Sequence, residues 1–591
     1  MGHVSNKLNN AFEGALAGGG DPATSPLYVF GPFLRLIVVA GVAQVTFGAS
    51  IWLVVLTVAV VSAMYRLVMQ WVTDGSGGSG LSEEEFGPWA AKINAAITFV
   101  EYTLTFLVSM AAMVTFIADR VPVLNDTLIF NIQYRTFIAI ALSVVTGWLV
   151  NRGPKMAART FGPATAGVLL LLWAMIISTI IKYGFHLPDF NLQAFSPENL
   201  RFTLGGYVRI LAVMTGIEVF ANMVAAYDGT ESQKGKKAFN SLLIIMGTTA
   251  ATMLIVGPVI KDVADPLLED VSVFTQTMDV LLPTPLPYLG TLVGIAVLMS
   301  ASAAAAQGLQ NLSLGLSERR YVPPLFGKRN EYQVADKPVW LQVILVGIVF
   351  LLFGTHEETY LAIYAAGVFV LLSMTGWAVA KRLLRQVREK FDIGTALLIV
   401  GTILAAILTT GATGIIFVER FAEGAWTYFI FIPLLYVIFG YTRKQMGEPS
   451  AALDYLGRLD ASNLAGFGFG QLNPASGAVT AKPATPDDLR WEPAPITKSK
   501  WRHQEFELKK VIVLLDGSDY AAQALPWVKM YCQKTGAHLT LLSSIKSKLA
   551  NEGDEFEKKF SKRQTYLEGV QKELQSEGLD VEMVIRSGFI A

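Results

Sequence analysis

Runs of about 18 or more predominantly apolar residues follow one another from residue 10 to Tyr441, and this recurrence limits the chain more than any other feature. Each run is long enough to cross the ~30 Å hydrocarbon core of a bilayer as a helix. In lipid, only helices and closed barrels satisfy every backbone N–H and C=O internally. The sequence is 52% hydrophobic and 16% charged, with a mean hydropathy of +0.45. These features predict a polytopic α-helical membrane protein with twelve spans. They fall at roughly 10–46, 49–70, 92–118, 129–150, 164–185, 205–227, 239–260, 286–312, 339–354, 360–380, 393–418 and 426–445.

Charge bias orients the spans. The connections at 152–163, 228–238, 316–338 and 381–392 carry sixteen Lys or Arg, among them Lys234, Lys236, Lys237, Arg319, Arg320, Arg385 and Arg388. The opposite side has only a handful, together with the acidic residues Asp262, Asp265, Glu269 and Asp270. The positive-inside rule then predicts cytoplasmic termini and a multi-pass protein of the inner (plasma) membrane. The connection Trp71–Trp89 departs from this pattern and reads as a Gly-Ser-rich acidic loop with Glu83, Glu84 and Glu85. A formal net charge of zero gives no electrostatic case for nucleic acid. The single cysteine, Cys532, excludes an intrachain disulfide, and the five histidines lack metal-ligand spacing. The polar N-terminus shows no signal-peptide pattern, and no nucleophile–base pair suggests an enzyme.

Residues 1–446 thus read as the membrane domain and 447–504, rich in Pro, Ala, Gly and Ser, as a linker. Residues 505–591 alternate strand and helix patterns: a strand into Asp516-Gly517-Ser518, a helix at 519–535, a strand at 538–543, a helix at 552–577 and a strand at 580–585. That alternation predicts a parallel α/β domain.

The first span opens on Gly18-Gly-Gly-Asp21-Pro-Ala-Thr-Ser-Pro-Leu-Tyr28. Three glycines and two prolines cannot form a regular helix. Broken backbone at membrane depth is tolerated only where it lines a cavity, and a carboxylate there points to function. A plain alternative is an ordinary helix start, with Asp21 as N-cap and Pro22 in the first turn. In span three, Glu101, Thr105 and Ser109 lie four apart on one helical stripe. Back-bonding to i−4 carbonyls accounts for the hydroxyls but not for the acid. Span six carries Thr215-Gly216-Ile-Glu218, with Asn222 one turn on; Arg35 and Arg209, the basic residues that could pair with Glu218, lie toward span ends. Tyr364 reads as a packed or interfacial tyrosine, with a ligand role as the alternative. Carboxylate, hydroxyl and freed carbonyl oxygens suit a hard cation. Broken helices opening two five-helix halves also mark inverted-repeat transporters.

Together these motifs resemble the KUP and KimA families of potassium-uptake transporters, within the APC superfamily of LeuT-fold proteins. Gly20-Asp21-x-x-Thr24-Ser25-Pro26-Leu27-Tyr28 is similar to the KUP first-helix signature. Glu101-x-x-x-Thr105-x-x-x-Ser109 and Thr215-Gly-x-Glu218 are similar to the third- and sixth-helix patterns. The resemblance implies ion-binding roles for Asp21, Tyr28, Glu101, Thr105, Ser109, Thr215 and Glu218. Potassium would be held at Asp21, Glu101, Thr105 and Thr215. Because desolvation favours the protonated form of a carboxylate, Glu218 and then Glu101 are the candidates for proton coupling. The chain departs from KUP at Glu13, Phe106 and Asn222, where that family has an apolar residue, Pro and Asp.

From Val511 to Ser518 the tail resembles a universal stress protein domain, which implies a regulatory nucleotide (ATP, AMP or a cyclic dinucleotide) near Asp516, Gly517 and Ser518. The later phosphate loop is missing before Ala591, so the domain reads as incomplete or shortened. No other cofactor is expected. The leading reading is a proton-coupled potassium importer that is homodimeric through its tail; the alternative is an amino acid permease. Asp21 at the break and Glu218 opposite would repel a substrate carboxylate, which disfavours that alternative. A nucleotide-gated sensor without transport is the third class.

Overall fold

The computed structural model describes residues 8–129, 132–268, 271–332, 334–389, 392–447, 509–515, 519–545 and 553–587. Glu269, Asp270, Asp516, Gly517, Ser518 and the segment read as a linker beyond Gly447 lie outside them. The chain divides into two compact units, Met1–Lys482 and Pro483–Ala591.

The first unit is helical. In order it runs α1 (Ala11–Gly18), α2 (Pro26–Val39), α3 (Ala43–Trp71), α4 (Gly77–Phe86), α5 (Pro88–Ala118), a small hairpin of β1 (Thr127–Ile129) and β2 (Ile132–Gln133), α6 (Tyr134–Val150) and α7 (Pro154–Tyr183). It continues through α8 (Leu200–Ile210), α9 (Ile217–Asn222), α10 (Glu231–Ala251), α11 (Gly257–Val263), α12 (Val273–Leu281) and α13 (Leu286–Glu318). It closes with α14 (Pro324–Gly327), α15 (Asp336–Phe353), α16 (Glu357–Glu389), α17 (Ile393–Glu419) and α18 (Tyr428–Met446).

Ten helical stretches among the described residues are long and apolar enough to cross a membrane, and α2 and α6 are shorter apolar helices. The protein is a polytopic helical membrane protein. The core of the unit forms where α5 meets α13 and α16, with α17 against α16 and α7 against α13. The stretch read as one span over 10–46 ends at Val39. The chain turns at Gly41, whose φ is +69°, and residues from Ala43 on belong to the next helix.

The connection Trp71–Trp89 contains a helix, α4, where a loop is expected. Ser82, Glu83 and Glu85 are buried in it. Glycine disfavours helix, so tertiary contacts decide this segment. Glu84 pairs with Arg382 at 2.9 Å and Glu85 with Arg385 at 2.6 Å, while Lys381 Nζ donates to the Glu85 carbonyl. The acidic run is thereby matched to the basic end of α16.

The second unit is a three-stranded parallel sheet in the order β3 (Lys510–Leu514), β4 (His538–Ile545), β5 (Val581–Ser587). Two crossovers join the strands: α19 (Asp519–Ala522) with α20 (Leu525–Thr535), then α21 (Gly553–Ser576). Leu539, Leu541 and Val513 from the strands pack against Leu567 and Leu574 of α21. The strand pattern reaches two residues further at β4 than the sequence suggests, and the first crossover is split at Gln523–Ala524.

Candidate functional site

Two helix interruptions face each other inside the first unit. Between α1 and α2, Gly19 follows an α-helical turn and Pro22–Thr24 form a single 3₁₀ turn. Asp21 precedes that turn, but its side chain makes no capping hydrogen bond, so the plain helix-start reading does not describe this carboxylate. Between α8 and α9 the chain passes through a 3₁₀ turn at Leu211–Met214 and then an extended Thr215 to Gly216, whose φ is +80°.

Gly216 is fixed by geometry as well as by conformation. A Cβ there would stand 2.6 Å from Pro22 Cγ and 3.1 Å from Asp21 Oδ2. The first-helix carboxylate therefore lies directly against the second interruption. Only glycine combines a left-handed backbone with so close an approach.

Hydroxyls gather at this junction. Ser25 Oγ lies 3.2 Å from Thr215 Oγ1 and 3.3 Å from the Tyr28 hydroxyl. The Tyr364 hydroxyl on α16 is within hydrogen-bonding reach of both the Asp21 carboxylate and Thr215. Ser25, Tyr28, Thr215 and Tyr364 are all buried. Asp21 is half-buried, and its Oδ1, shielded from solvent, accepts no hydrogen bond among the described residues. A buried carboxylate oxygen left without a donor is costly unless a proton or a cation fills the gap.

Glu101, buried on α5, lies within electrostatic reach of Tyr364 and of Tyr428 on α18. Thr105 donates to the Glu101 carbonyl at 2.9 Å, the plain back-bonding arrangement; Ser109, one turn further, is buried as well. Glu218 sits in the first turn of α9 and is half-buried. Asn222, one turn on, packs its amide oxygen against Gly77 of α4.

Of the residues singled out from the sequence, Asp21, Tyr28 and Thr215 share one cluster, with Glu101 beside it. The two arginines considered for Glu218 have other acids. Arg35 pairs with Glu358 at 3.6 Å and Arg209 with Glu423 at 2.9 Å. Arg420 shares Glu423 at 2.8 Å.

Three site residues carry little signal in the sequence. Ser25 is visible only as one letter of the first-helix motif. Tyr364 lies in an Ala- and Gly-rich stretch of an apolar helix. Tyr428 begins an aromatic helix and packs its hydroxyl against Gly367. The available clue was that a tyrosine buried at membrane depth needs a polar partner for its hydroxyl.

Residues 24–454 match the amino acid permease family. The chain is also 22% identical over 415 residues to the potassium transporter KimA of Bacillus subtilis (strain 168), a match covering 68% of this chain and 66% of that protein. The chain thus spans just under two thirds of that relative. The interruptions between α1 and α2 and between α8 and α9, the buried polar junction they form and the family match over most of the membrane unit lead to one conclusion: this chain belongs to the amino acid permease family of transporters.

Proposed function

We propose that the protein imports potassium ions, with protons as the coupled ion. The observation that carries the reading is the Asp21 carboxylate at the first interruption. It lies against Gly216, within reach of the Tyr364 hydroxyl, and has one buried oxygen that accepts no hydrogen bond among the described residues. Carboxylate and hydroxyl oxygens are the donor set of a hard cation. Ion ligands on this reading are Asp21, Tyr28, Glu101, Thr105, Ser109, Thr215 and Glu218, with Glu218 first and Glu101 second as the proton-coupling group. Tyr364 is added to that set on its position.

The family match favours a second reading, an amino acid permease. A permease would hold the substrate carboxylate on free N–H groups at the break. Here the Ala23 and Thr24 amides already bond to the Gly19 and Asp21 carbonyls, Pro22 and Pro26 have no N–H, and Asp21 adds like charge. Those features support a bare cation over an α-carboxylate.

The same reading has twelve spans with inverted repeats, cytoplasmic termini and residence in the inner membrane. The tail acts as a universal stress protein-like regulatory domain that takes a nucleotide and pairs with a second copy. Exposed Ile512 and Leu514 on β3 and exposed Trp527 and Met530 on α20 support the pairing. The test is uptake into proteoliposomes of rubidium and potassium against a panel of amino acids, under imposed proton and sodium gradients. Native protein should carry rubidium under a proton gradient, and Asp21→Asn and Glu101→Gln should abolish uptake while remaining folded. Uptake of an amino acid with no rubidium transport would overturn the reading.

A further inference from the structure

A second feature lies away from the interruptions, where the end of α16 meets α4 and the start of α5. A groove of about 720 Å³ runs along α16 there. Its inner wall is apolar: Met374, Trp377 and Leu384 from α16, with Ile403 from α17. Trp377 is anchored by its indole N–H to Thr410 at 3.0 Å, so this wall is set in place. Trp377, Leu384 and Trp89 nevertheless keep more than two fifths of their surface exposed, so the groove opens outward.

The last turns of α16 change the chemistry. Lys381, Arg385 and Arg388 stand at that end of the groove. Arg385 is matched by Glu85. Among the described residues, Lys381 has only the Glu85 carbonyl and the Phe86 ring, at 5.1 Å, and Arg388 makes no ion pair or hydrogen bond. One end is thus apolar and the other holds two positive charges with no matching acid, with Trp89 beside the boundary.

We propose that this groove binds an anionic phospholipid, its acyl chains against Met374, Trp377, Leu384 and Ile403 and its phosphate on Lys381 and Arg388. The charge complementarity is specific to an anionic headgroup: a zwitterionic one would bring its own cation to the two that lack an acid. The end of α16 lies on the side proposed above as cytoplasmic, where anionic lipids give the leaflet its negative surface potential. The long arms of Lys381 and Arg388 can follow the apolar wall and keep their charges at headgroup level.

Native mass spectrometry of the full-length protein, with phosphatidylglycerol and phosphatidylcholine of matched chains, tests this. Phosphatidylglycerol should be retained in preference. Each cation near the surface contributes about fivefold in affinity for anionic lipid, so Lys381→Gln with Arg388→Gln should weaken retention about thirtyfold. The same change at Lys234 and Lys236 should leave it unaltered. Equal retention of the two lipids, or full retention by the Lys381/Arg388 variant, would overturn the proposal. So would displacement of the lipid by soluble glycerol phosphate, which would show a phosphate site without a lipid. Binding is read without transport, so its failure leaves the potassium reading standing.

Discussion

Replacing Gly216 by alanine adds one methyl group at the junction of the two interruptions, and the geometry gives its cost. At a φ of +80° a non-glycine residue costs about 1–2 kcal/mol. The new methyl would stand 2.6 Å from Pro22 Cγ and 3.1 Å from Asp21 Oδ2. Pro22 is a ring in a 3₁₀ turn and cannot rotate away, so the overpacking adds about 1–3 kcal/mol. The total, about 2–5 kcal/mol, falls on the contact that holds Asp21. Each 1.4 kcal/mol is tenfold in an equilibrium, so even the lower bound disfavours the apposed arrangement about thirtyfold against one that separates the two interruptions, and uptake falls with it. Gly347→Ala on α15 is the control, because a Cβ there meets nothing within 4 Å. The assay is rubidium uptake in proteoliposomes with thermal unfolding of the same preparations. Gly216→Ala transporting within threefold of native protein, with unchanged unfolding, would refute the close apposition.

Three further perturbations test separate parts of the molecule. Tyr364→Phe removes a hydroxyl within reach of Asp21 and should cost about 1.5–3 kcal/mol of carboxylate stabilisation, read as a tenfold or greater rise in the rubidium concentration for half-maximal uptake; an unchanged value would count against its place in the site. Arg385→Gln leaves the Glu85 side chain, 1% exposed, without its 2.6 Å partner; because Arg385 is itself 54% exposed, the discounted loss is about 1–2 kcal/mol, and Glu85→Gln combined with Arg385→Gln should restore part of the lost Tm. In the tail, Asp580 at 2.7 Å and then Glu582 at 3.4 Å hold the His538 imidazolium above the usual histidine range. A raised folded value means that its contribution is complete below about pH 6.5 and fades as pH rises through that folded value. Hydrogen exchange over β4 and β5 of the full chain should therefore be faster at pH 8 than at pH 6, corrected for intrinsic rates, and His538→Gln should remove the difference.

Much of the membrane unit is legible in the sequence because lipid leaves few choices. Long apolar runs, and a Gly-Asp-Pro stretch that cannot continue a helix, have few structural solutions. The errors arise where tertiary contacts overrule local preference. A Gly-Ser-rich acidic segment reads as a loop, yet Arg382 and Arg385, some 300 positions away, hold α4 as a buried helix. The site shows the same division. Asp21 and Thr215 stand out as polar residues in apolar surroundings, whereas Tyr364 and Tyr428 resemble packing aromatics until α16 and α18 are brought beside α5. The Thr105 hydroxyl shows the converse: on the predicted stripe, it is bonded to its own helix at Glu101.

The two interruptions also explain why a polar cluster can persist in so apolar a fold. A regular helix would use every N–H and C=O and leave Asp21 facing packed hydrocarbon, at an insertion cost of about 2.5–3.5 kcal/mol. Breaking the first helix over Gly19–Ser25 and the other over Leu211–Gly216 turns side-chain hydroxyls and backbone toward one point. Their mutual contacts engage Ser25, Tyr28 and Thr215 but leave Asp21 Oδ1 without a donor among the described residues. A site complete in itself would be a structural plug, with nothing to gain from an ion. On the function proposed above, the unmet carboxylate oxygen is the place an ion would fill, and because Asp21 lies in one interruption and Thr215 in the other, that ion would bind between the two.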